Sequence, residues 1–509
     1  TVAGVDTSGD GTGPDILVRA YPRGPLVRVH SADGGPVYTM DSPVQNDVAD
    51  DSMVTIDMTA GNDESTNPGQ VAFEVYEANR YFGTFITSVN GSAPTQILVE
   101  YPRSAAGDGS SYTPAANRMN LAISDGHDWD NIQHEYGHHV QTVFNLANNP
   151  GGAHSSSQNS CVVRPTKDEA LRLAWAESWP TFYSIIAQNE QNLAALGIPN
   201  LGDTSYTDTK PDGTALNYDI ETGTTGQTGE ATERAIMRLF WDTYDNADDN
   251  VDAGITFSAQ SLWDAATASN PEIVSAYWAQ FIALFTEAQK SASGGTLTRE
   301  GFGANLTNPA TGTTYSGGAA PTFTWNPNLP CDSGGNGRYS VHFQQQGTGA
   351  LLFASPFQAA TSFTPSADQL DQIFVAAGGN VLWSVLTRDL TAPQTGDYYS
   401  ESRSVVDDFD VPDRDPVDIV LALDLSSSMN SPPADGDLPK IDREPFMPDL
   451  REFGACVEVS TYKNWDEMSR WWWQLVNKQC DTSDALQSIT AELTQGCATE
   501  REKIRAIYN

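Results

Sequence analysis

Two histidines and a glutamate stand at a spacing that can bind and use a metal ion. They are His134, Glu135 and His138, within the stretch HEYGH. Residues four apart lie on the same face of a helix, so both imidazoles can bind one zinc ion. Glu135 lies one position further round, where its carboxylate can reach a water molecule on that zinc. The pattern predicts a zinc site with His134 and His138 as ligands and Glu135 as the catalytic base.

The helix that carries this motif is predicted to have an apolar side and a polar side. At about 100° per residue, His134, His138 and Gln141 gather on one side and apolar residues gather on the other. The apolar members are Ile132, Tyr136, Val140, Val143 and Ala147. This separation favours a metal-binding helix that lines a cleft over a surface helix with solvated histidines.

A zinc site of this type needs a third protein ligand, for which the sequence offers four candidates. Glu177 falls on a face of small residues in the helix predicted over 167–191, so its carboxylate can approach a neighbouring helix closely. Glu169 lies near the start of that helix, where the helix dipole favours a carboxylate in any case. Glu190 lies at a polar helix end and His154 in a Gly/Ser loop. Glu177 is therefore the predicted third ligand.

Further polar residues are candidates for supporting roles. Asp130, one turn before His134, either orients that imidazole or complements the positive end of the helix dipole. An additional donor to the oxyanion that develops during acyl transfer is usual. His154, Tyr183 and Tyr218 are the candidates for this donor, and the sequence does not decide among them.

An acidic turn near the start of the chain is a candidate for calcium. Asp6, Ser8 and Asp10 have the spacing that opens a calcium-binding loop. The twelfth position of such a loop should be acidic, but here it is Leu17. The residues therefore favour an ordinary acidic turn, with Ca²⁺ as the alternative.

The composition excludes some classes of partner. The 509 residues carry a formal net charge of −39, with a pI of about 4.2. Such a surface repels nucleic acid and anionic membranes, so neither is an expected partner. No apolar run approaches the roughly 18 residues that span a bilayer, so no transmembrane segment is expected. An acidic, lysine-poor surface is typical of secreted proteins or of salty habitats.

The chain changes character along its length, which indicates several domains. Alternating apolar and polar residues with turn signals predict a small β domain over 1–65. Helical periodicity dominates 66–300, where strands at 97–102 and 119–124 lead to the metal-binding helix. Short alternating segments rich in Pro, Gly and Thr predict a β-sandwich over 301–410.

Within the helical region the periodicity predicts individual helices. They are expected over 71–89, 167–191, 229–246 and, as a pair, 258–290. Residues 192–228 are rich in Gly, Thr and Asp and are expected to form a polar excursion.

Three stretches of residues 66–300 resemble known enzymes. They are HEYGHH, WAESWPTF and GEATERAIMRLFWDTYD. Together they resemble the gluzincin metallopeptidases, a class that contains the thermolysin-like and aminopeptidase families and hydrolyses peptide bonds. The third zinc ligand of that class is a glutamate on a downstream helix, which corresponds to Glu177. Thermolysin-like enzymes have an aspartate where this chain has Thr181, and Pro180 is expected to kink or end the helix.

The regions after the helical part resemble other modules. Residues 301–410 are similar in pattern to a fibronectin type III module. Residues 411–443 contain the D-x-S-x-S motif DLSSS at 424–428 and resemble an incomplete start of a von Willebrand factor A domain. Residues 444–509 are partly helical in pattern and resemble the segment that precedes a transglutaminase-like core.

The predicted fold is multidomain α+β, with a mainly helical zincin-like peptidase domain flanked by all-β modules and followed by a partly helical C-terminal segment. The expected function is that of a secreted or cell-surface zinc metallopeptidase that acts on proteins or peptides. The alternative is a non-catalytic cell-surface adhesion protein that binds through its β modules. Glu135 favours the enzyme, because a scaffold has no need of this carboxylate.

Overall fold

The computed structural model describes most of one compact unit of the chain, Thr1–Phe409. The described residues are 14–32, 34–49, 52–61, 67–103, 109–152, 160–198, 201–209, 215–222, 226–246, 254–315, 319–327, 337–389 and 397–407. His154 and most of the candidate calcium turn lie outside the described residues. So do the segments that resemble a von Willebrand factor A domain and the region before a transglutaminase-like core.

Within the described residues the chain forms nine α-helices, most of them in its central part. They are α1 (Pro68–Asn90), α2 (Trp129–Phe144), α3 (Lys167–Glu190), α4 (Glu233–Tyr244), α5 (Ala259–Ser269), α6 (Val274–Phe281), α7 (Glu287–Ala292), α8 (Gly294–Arg299) and α9 (Ala367–Ala377). The helices expected from periodicity are present close to their predicted bounds. None of the described helices combines the length and the apolar character that a membrane crossing requires.

The strands fall into several small sheets. They are β1 (Arg19–Ala20), β2 (Val27–His30), β3 (Met40–Asp41), β4 (Ile97–Glu100), β5 (Ser111–Thr113), β6 (Arg118–Asn120), β7 (Ser205–Thr209), β8 (Ala215–Asp219), β9 (Asn305–Asn308), β10 (Thr313–Tyr315), β11 (Phe323–Asn326), β12 (Gly337–Gln345), β13 (Leu351–Ala354), β14 (Ser362–Phe363), β15 (Val381–Asp389), β16 (Asp397–Tyr399) and β17 (Arg403–Asp407). A helical centre with several sheets confirms the predicted mixed α+β class.

A four-stranded sheet of order β2-β4-β6-β5 lies next to the central helices. The first three strands are parallel, and β5 pairs antiparallel with β6 at the edge. Val29, Val99 and Met119 contribute fully buried side chains from successive strands to the main hydrophobic core. Because β2 belongs to residues 1–65 and β4 to residues 66–300, this sheet joins the first two predicted domains. The domain bounds themselves stay predictions.

Helices α2 and α3 begin with side-chain caps and pack against each other. The Asp128 carboxylate accepts a hydrogen bond from the backbone N–H of Asn131 at the start of α2, and the Thr166 hydroxyl accepts one from the N–H of Glu169 at the start of α3. Most of α3 is buried on every side, as expected for the central helix of a core. The helix continues through Pro180 to Glu190, so the expectation that it could end at the proline is wrong.

Residues 304–405 form a second hydrophobic core between two sheets. One sheet has the order β14-β11-β9, and the other has the order β10-β17-β15-β12-β13, with β16 paired to β15. Phe323 of the first sheet packs against Phe343 and Trp383 of the second. Helix α9 also covers this core through Leu370 and Phe374, so the region is not all-β as predicted.

Candidate metal site

Three side chains from α2 and α3 converge where the two helices pack together. His134 and His138 lie one turn apart on α2, and Glu177 faces them from α3. The Glu177 Oε2 atom lies 3.4 Å from His134 Nε2 and 3.2 Å from His138 Nε2. The ligand atoms of all three residues lie within 4.8 Å of one another. The arrangement is therefore a His-His-Glu group that can hold a metal ion.

The orientation of each imidazole is set by a hydrogen bond on its other nitrogen. His134 Nδ1 lies 2.8 Å from the Thr181 hydroxyl, which itself donates to the carbonyl oxygen of Glu177. That hydroxyl uses its proton on the carbonyl, so it accepts from Nδ1–H of His134. His138 Nδ1 lies 3.3 Å from the Gln141 amide oxygen, an acceptor. Both rings thus direct Nε2 toward Glu177, and a metal ion bound there would take the place of any proton on these nitrogens.

The Glu177 carboxylate is also held by one of its two oxygens. Asn149 Nδ2 donates to Glu177 Oε1 at 3.2 Å, and the Asn149 side-chain oxygen accepts from the N–H of Gly151. The other oxygen, Oε2, is left to face both imidazoles. Glu177 is 6% exposed, so its charge lacks water around it and attracts a cation. Burial alone would lower the pKa of His138, but the nearby Glu177 carboxylate outweighs this effect and raises that pKa to about 9.

Glu135 lies beside the group with part of its hydrogen-bonding capacity unused. Its side chain is buried, and its Oε2 atom has no hydrogen-bond partner. Burial raises the pKa of Glu135 to about 7, with His138 opposing the rise and Glu177 adding to it. A buried carboxylate oxygen without a protein partner is costly unless a ligand or water uses it. The Oε2 atom of Glu135 can therefore accept a hydrogen bond from a small polar molecule next to the metal ligands.

The set of donor atoms is of a kind that binds divalent metal ions. Two imidazole nitrogens and one carboxylate oxygen, found among the described residues, are ligands that zinc takes. Glu135 is not a member of this group of ligands, and its Oε2 atom has no hydrogen-bond partner.

A hairpin made by β7 and β8 covers the start of α2, within the segment expected to be a polar excursion. The ring of Tyr206 lies 5.9 Å from the His134 imidazole, centroid to centroid. Asp208 accepts a hydrogen bond from the Asn131 side chain, and the N–H of Thr207 donates to Asp130. Sequence reasoning missed this hairpin and Tyr206. The available signal was the alternation of Tyr206 and Asp208 with the hydroxyl residues Ser205, Thr207 and Thr209 in SYTDT.

The predicted supporting residues lie in different surroundings. Asp130 is buried and accepts hydrogen bonds from Gln188 and from the Thr207 N–H. The side chain that lies against the Nδ1 atom of His134 is that of Thr181. Burial raises the pKa of Asp130 well above its usual range. Tyr183 lies within the hydrophobic core, stacked on Trp179.

The remaining candidates are also distinguishable. The Tyr218 hydroxyl donates to the sulfur of Met237, and its ring lies 5.6 Å from that of Tyr206. Glu190 is exposed at the end of α3 and accepts a hydrogen bond from Tyr244. Of the carboxylates considered as third ligand, Glu177 is the one that the structure brings to the histidine pair.

Comparisons with known proteins add no relative of this chain. No protein-family model matches the sequence. No curated protein matches it either. The buried His134, His138 and Glu177 group, compatible with a metal ion, is thus what the molecule itself establishes about its chemistry.

Proposed function

We propose that the protein is a zinc-dependent peptidase of the gluzincin type, with His134, His138 and Glu177 as zinc ligands. The observation that carries the proposal is the buried carboxylate of Glu135, whose Oε2 has no partner beside the converging ligands. A metal site that only stabilised the fold would not need an unsatisfied carboxylate next to it. A hydrolase does need one, as a base for the attacking water.

Glu135 takes the proton of the attacking water and later delivers it to the leaving amine. A buried carboxyl that can both take and release a proton suits both steps, and such a base contributes roughly 10²- to 10⁴-fold to the rate. Held by His134, His138 and Glu177, a zinc ion would supply a Lewis acid for the scissile carbonyl and would lower the pKa of the attacking water to about 7. Thr181 and Gln141 keep the imidazoles of His134 and His138 oriented throughout, so the ligand nitrogens need not reorganise.

The substrate is proposed to be a peptide bound in extended form. Among the described strands β5 is at the edge of its sheet, and it lies beside α2, so its outer side is placed to pair with an added strand. Main-chain hydrogen bonds of that kind accept many side chains. This supports proteins and peptides as the substrate class and leaves specificity to side-chain contacts.

The surroundings of the enzyme are proposed to be extracellular, either secreted or at the cell surface. Cys161 is disulfide-bonded, and structural disulfides persist mainly in oxidising compartments. The two sheets that share the core over 304–405 support a fibronectin type III-like module there, with α9 as an addition to the usual all-β pattern.

The decisive experiment compares the wild type with Glu135→Gln for zinc content and for cleavage of casein. The variant should keep one zinc ion per chain and lose hydrolysis by about 10²-fold or more, since the amide cannot take a proton. A variant that binds zinc and cleaves casein at the wild-type rate would remove Glu135 from the mechanism. A wild type that binds zinc but cleaves no protein would favour the non-catalytic adhesion protein.

A further inference from the structure

An arginine near the metal site lacks the carboxylate partners that two other arginines of the helical region have. Arg238 pairs with Glu300, and Arg299 pairs with Asp242 and with Glu300. Arg234 is half-buried, forms no ion pair or hydrogen bond with any described residue, and its Nε atom is buried without a partner. The chain has 66 acidic and 27 basic residues, so carboxylates are not scarce. The guanidinium is therefore available to bind a group from outside the chain.

Aromatic side chains connect this arginine to the metal site. The guanidinium carbon of Arg234 lies 4.0 Å from the ring centroid of Tyr218. The Tyr218 ring lies 5.6 Å from that of Tyr206, which lies 5.9 Å from the imidazole of His134. The positive charge is thus separated from a metal ligand by two tyrosine rings. An extended peptide advances roughly 3.3 Å per residue, so this separation corresponds to a few residues of substrate.

The position of Arg234 is not explained by the stability of its own helix. It is the second residue of α4, in the first turn, where the helix dipole disfavours a cation. Burial lowers the pKa of the Arg234 guanidinium, and the charge of Arg238 lowers it further. Tyr218 and Glu233 act in the opposite direction. Glu233, the preceding residue, acts on the guanidinium through space. A positive charge here is thus partly uncompensated until an anion binds.

We propose that Arg234 binds a carboxylate group of the substrate, a few residues along the peptide from the bond that is cleaved. The proposal rests on the peptidase function proposed above. A guanidinium binds a carboxylate through two parallel hydrogen bonds, and stacking on Tyr218 holds its plane ready for them. The carboxylate belongs either to the C-terminus of a short peptide or to an acidic side chain, and the same chemistry serves both.

The test uses three kinds of fluorogenic peptide with the full-length zinc-loaded protein. The first ends in a free carboxylate, and the second is the same sequence ending in an amide. The third is a series derived from the amide, in which each member carries one acidic residue at a different position after the cleaved bond. The variants are Arg234→Gln and Arg234→Lys. Arg23→Gln is the matched control, because Arg23 also stacks on a tyrosine, Tyr21, but at an exposed position.

The expected result is a wild-type preference for a carboxylate-bearing peptide that Arg234→Gln reduces by about 10- to 100-fold in kcat/KM. Cleavage of the neutral amide should stay unchanged, Arg234→Lys should retain part of the preference, and Arg23→Gln should retain all of it. Preference for the free terminus or for the acidic side chain identifies the source of the carboxylate. Equal loss on all three kinds of peptide, or no preference in the wild type, would overturn the proposal.

Binding measurements separate this proposal from the peptidase function. Calorimetry with the Glu135→Gln protein compares the affinity of the carboxylate peptide with that of its amide, with and without Arg234→Gln. An affinity difference that disappears with Arg234→Gln supports the carboxylate site even where no peptide is hydrolysed. Equal affinities for the two peptides refute the site, whatever the outcome of the casein assay.

Discussion

Pro180 of α3 lies directly against Gly137 of α2, on the segment that carries the metal ligands. A Cβ atom added at Gly137 would lie 2.6 Å from the Cβ of Pro180 and 2.9 Å from its Cα. Any side chain here would therefore push the two helices apart. Gly137 precedes His138 directly, and Pro180 follows Glu177 by less than one turn. The contact thus sets the distance between the helices at the point where the ligands meet.

Gly137→Ala is predicted to weaken both the fold and metal binding. Alanine in place of glycine inside a helix ordinarily stabilises it by about 1 kcal/mol. Here the methyl group meets the Pro180 backbone, so overpacking should cost about 1–3 kcal/mol instead. Urea unfolding and zinc titration measure the two effects. Thr142→Ala is the control, since Thr142 is exposed on the same helix. A stabilised Gly137→Ala protein with unchanged zinc affinity would show that the helices can separate freely.

Glu177→Gln is predicted to lower zinc affinity by more than about 100-fold, because the amide keeps the shape of the side chain but removes its charge. In the wild type, zinc at a hundred times its Kd should add about 2.7 kcal/mol to the free energy of unfolding, and a chelator should remove it. Glu190→Gln is the matched control on the same helix, at an exposed end. Equal zinc affinity in Glu177→Gln and the wild type would exclude Glu177 as a ligand.

Thr181→Val is predicted to weaken zinc binding by about 10- to 100-fold without removing a ligand. Valine has nearly the same shape but cannot accept the Nδ1–H of His134, so that imidazole loses its fixed orientation. Thr181→Ser keeps the hydroxyl and should stay within about threefold of the wild type. Competition with a chromophoric chelator gives the affinities. A Thr181→Val protein that binds zinc as the wild type does would leave the orientation of His134 to other contacts.

The metal site could be predicted from the sequence to the extent that it depends on helical spacing. His134 and His138 share a face because they are four residues apart, and the small residues around Glu177 indicated a face that packs closely. The same spacing places Thr181 one turn after Glu177, where its hydroxyl reaches both the Glu177 carbonyl and His134. Its contact with His134 was not predicted, because a threonine in a helix ordinarily bonds only its own backbone.

Features that depend on contacts between distant segments could not be predicted. The hairpin of β7 and β8 reaches α2 across 77 residues, through Thr207 with Asp130 and Asp208 with Asn131. Nothing within a local sequence window encodes such a pairing. For the same reason the sequence could not rank Tyr183 and Tyr218 as oxyanion donors, since residue type alone does not reveal that Tyr183 stacks on Trp179 while Tyr218 lies beside Tyr206.

Tyr206→Phe is predicted to lower kcat by about 10²- to 10³-fold while zinc content and KM stay close to the wild-type values. The Tyr206 ring lies 5.9 Å from the imidazole of His134, centroid to centroid. The Tyr206 hydroxyl forms no hydrogen bond with a described residue. That hydroxyl is therefore free to stabilise the oxyanion of the reaction, a contact that strengthens only in the transition state. Phenylalanine keeps the ring and its packing, so the fold should be unaffected.

The matched control for Tyr206→Phe is Tyr218→Phe, on the facing strand of the same hairpin. The Tyr218 hydroxyl is already engaged by Met237 and by the Thr181 side chain, so its loss should change kcat less than the loss of the Tyr206 hydroxyl does. Steady-state kinetics on the neutral amide peptide, with zinc content measured on the same samples, compare the two variants. A large fall in kcat for Tyr218→Phe with little change for Tyr206→Phe would assign the oxyanion contact to Tyr218. Unchanged kcat in both variants would mean that neither tyrosine stabilises the transition state, leaving this contact to a group outside the hairpin.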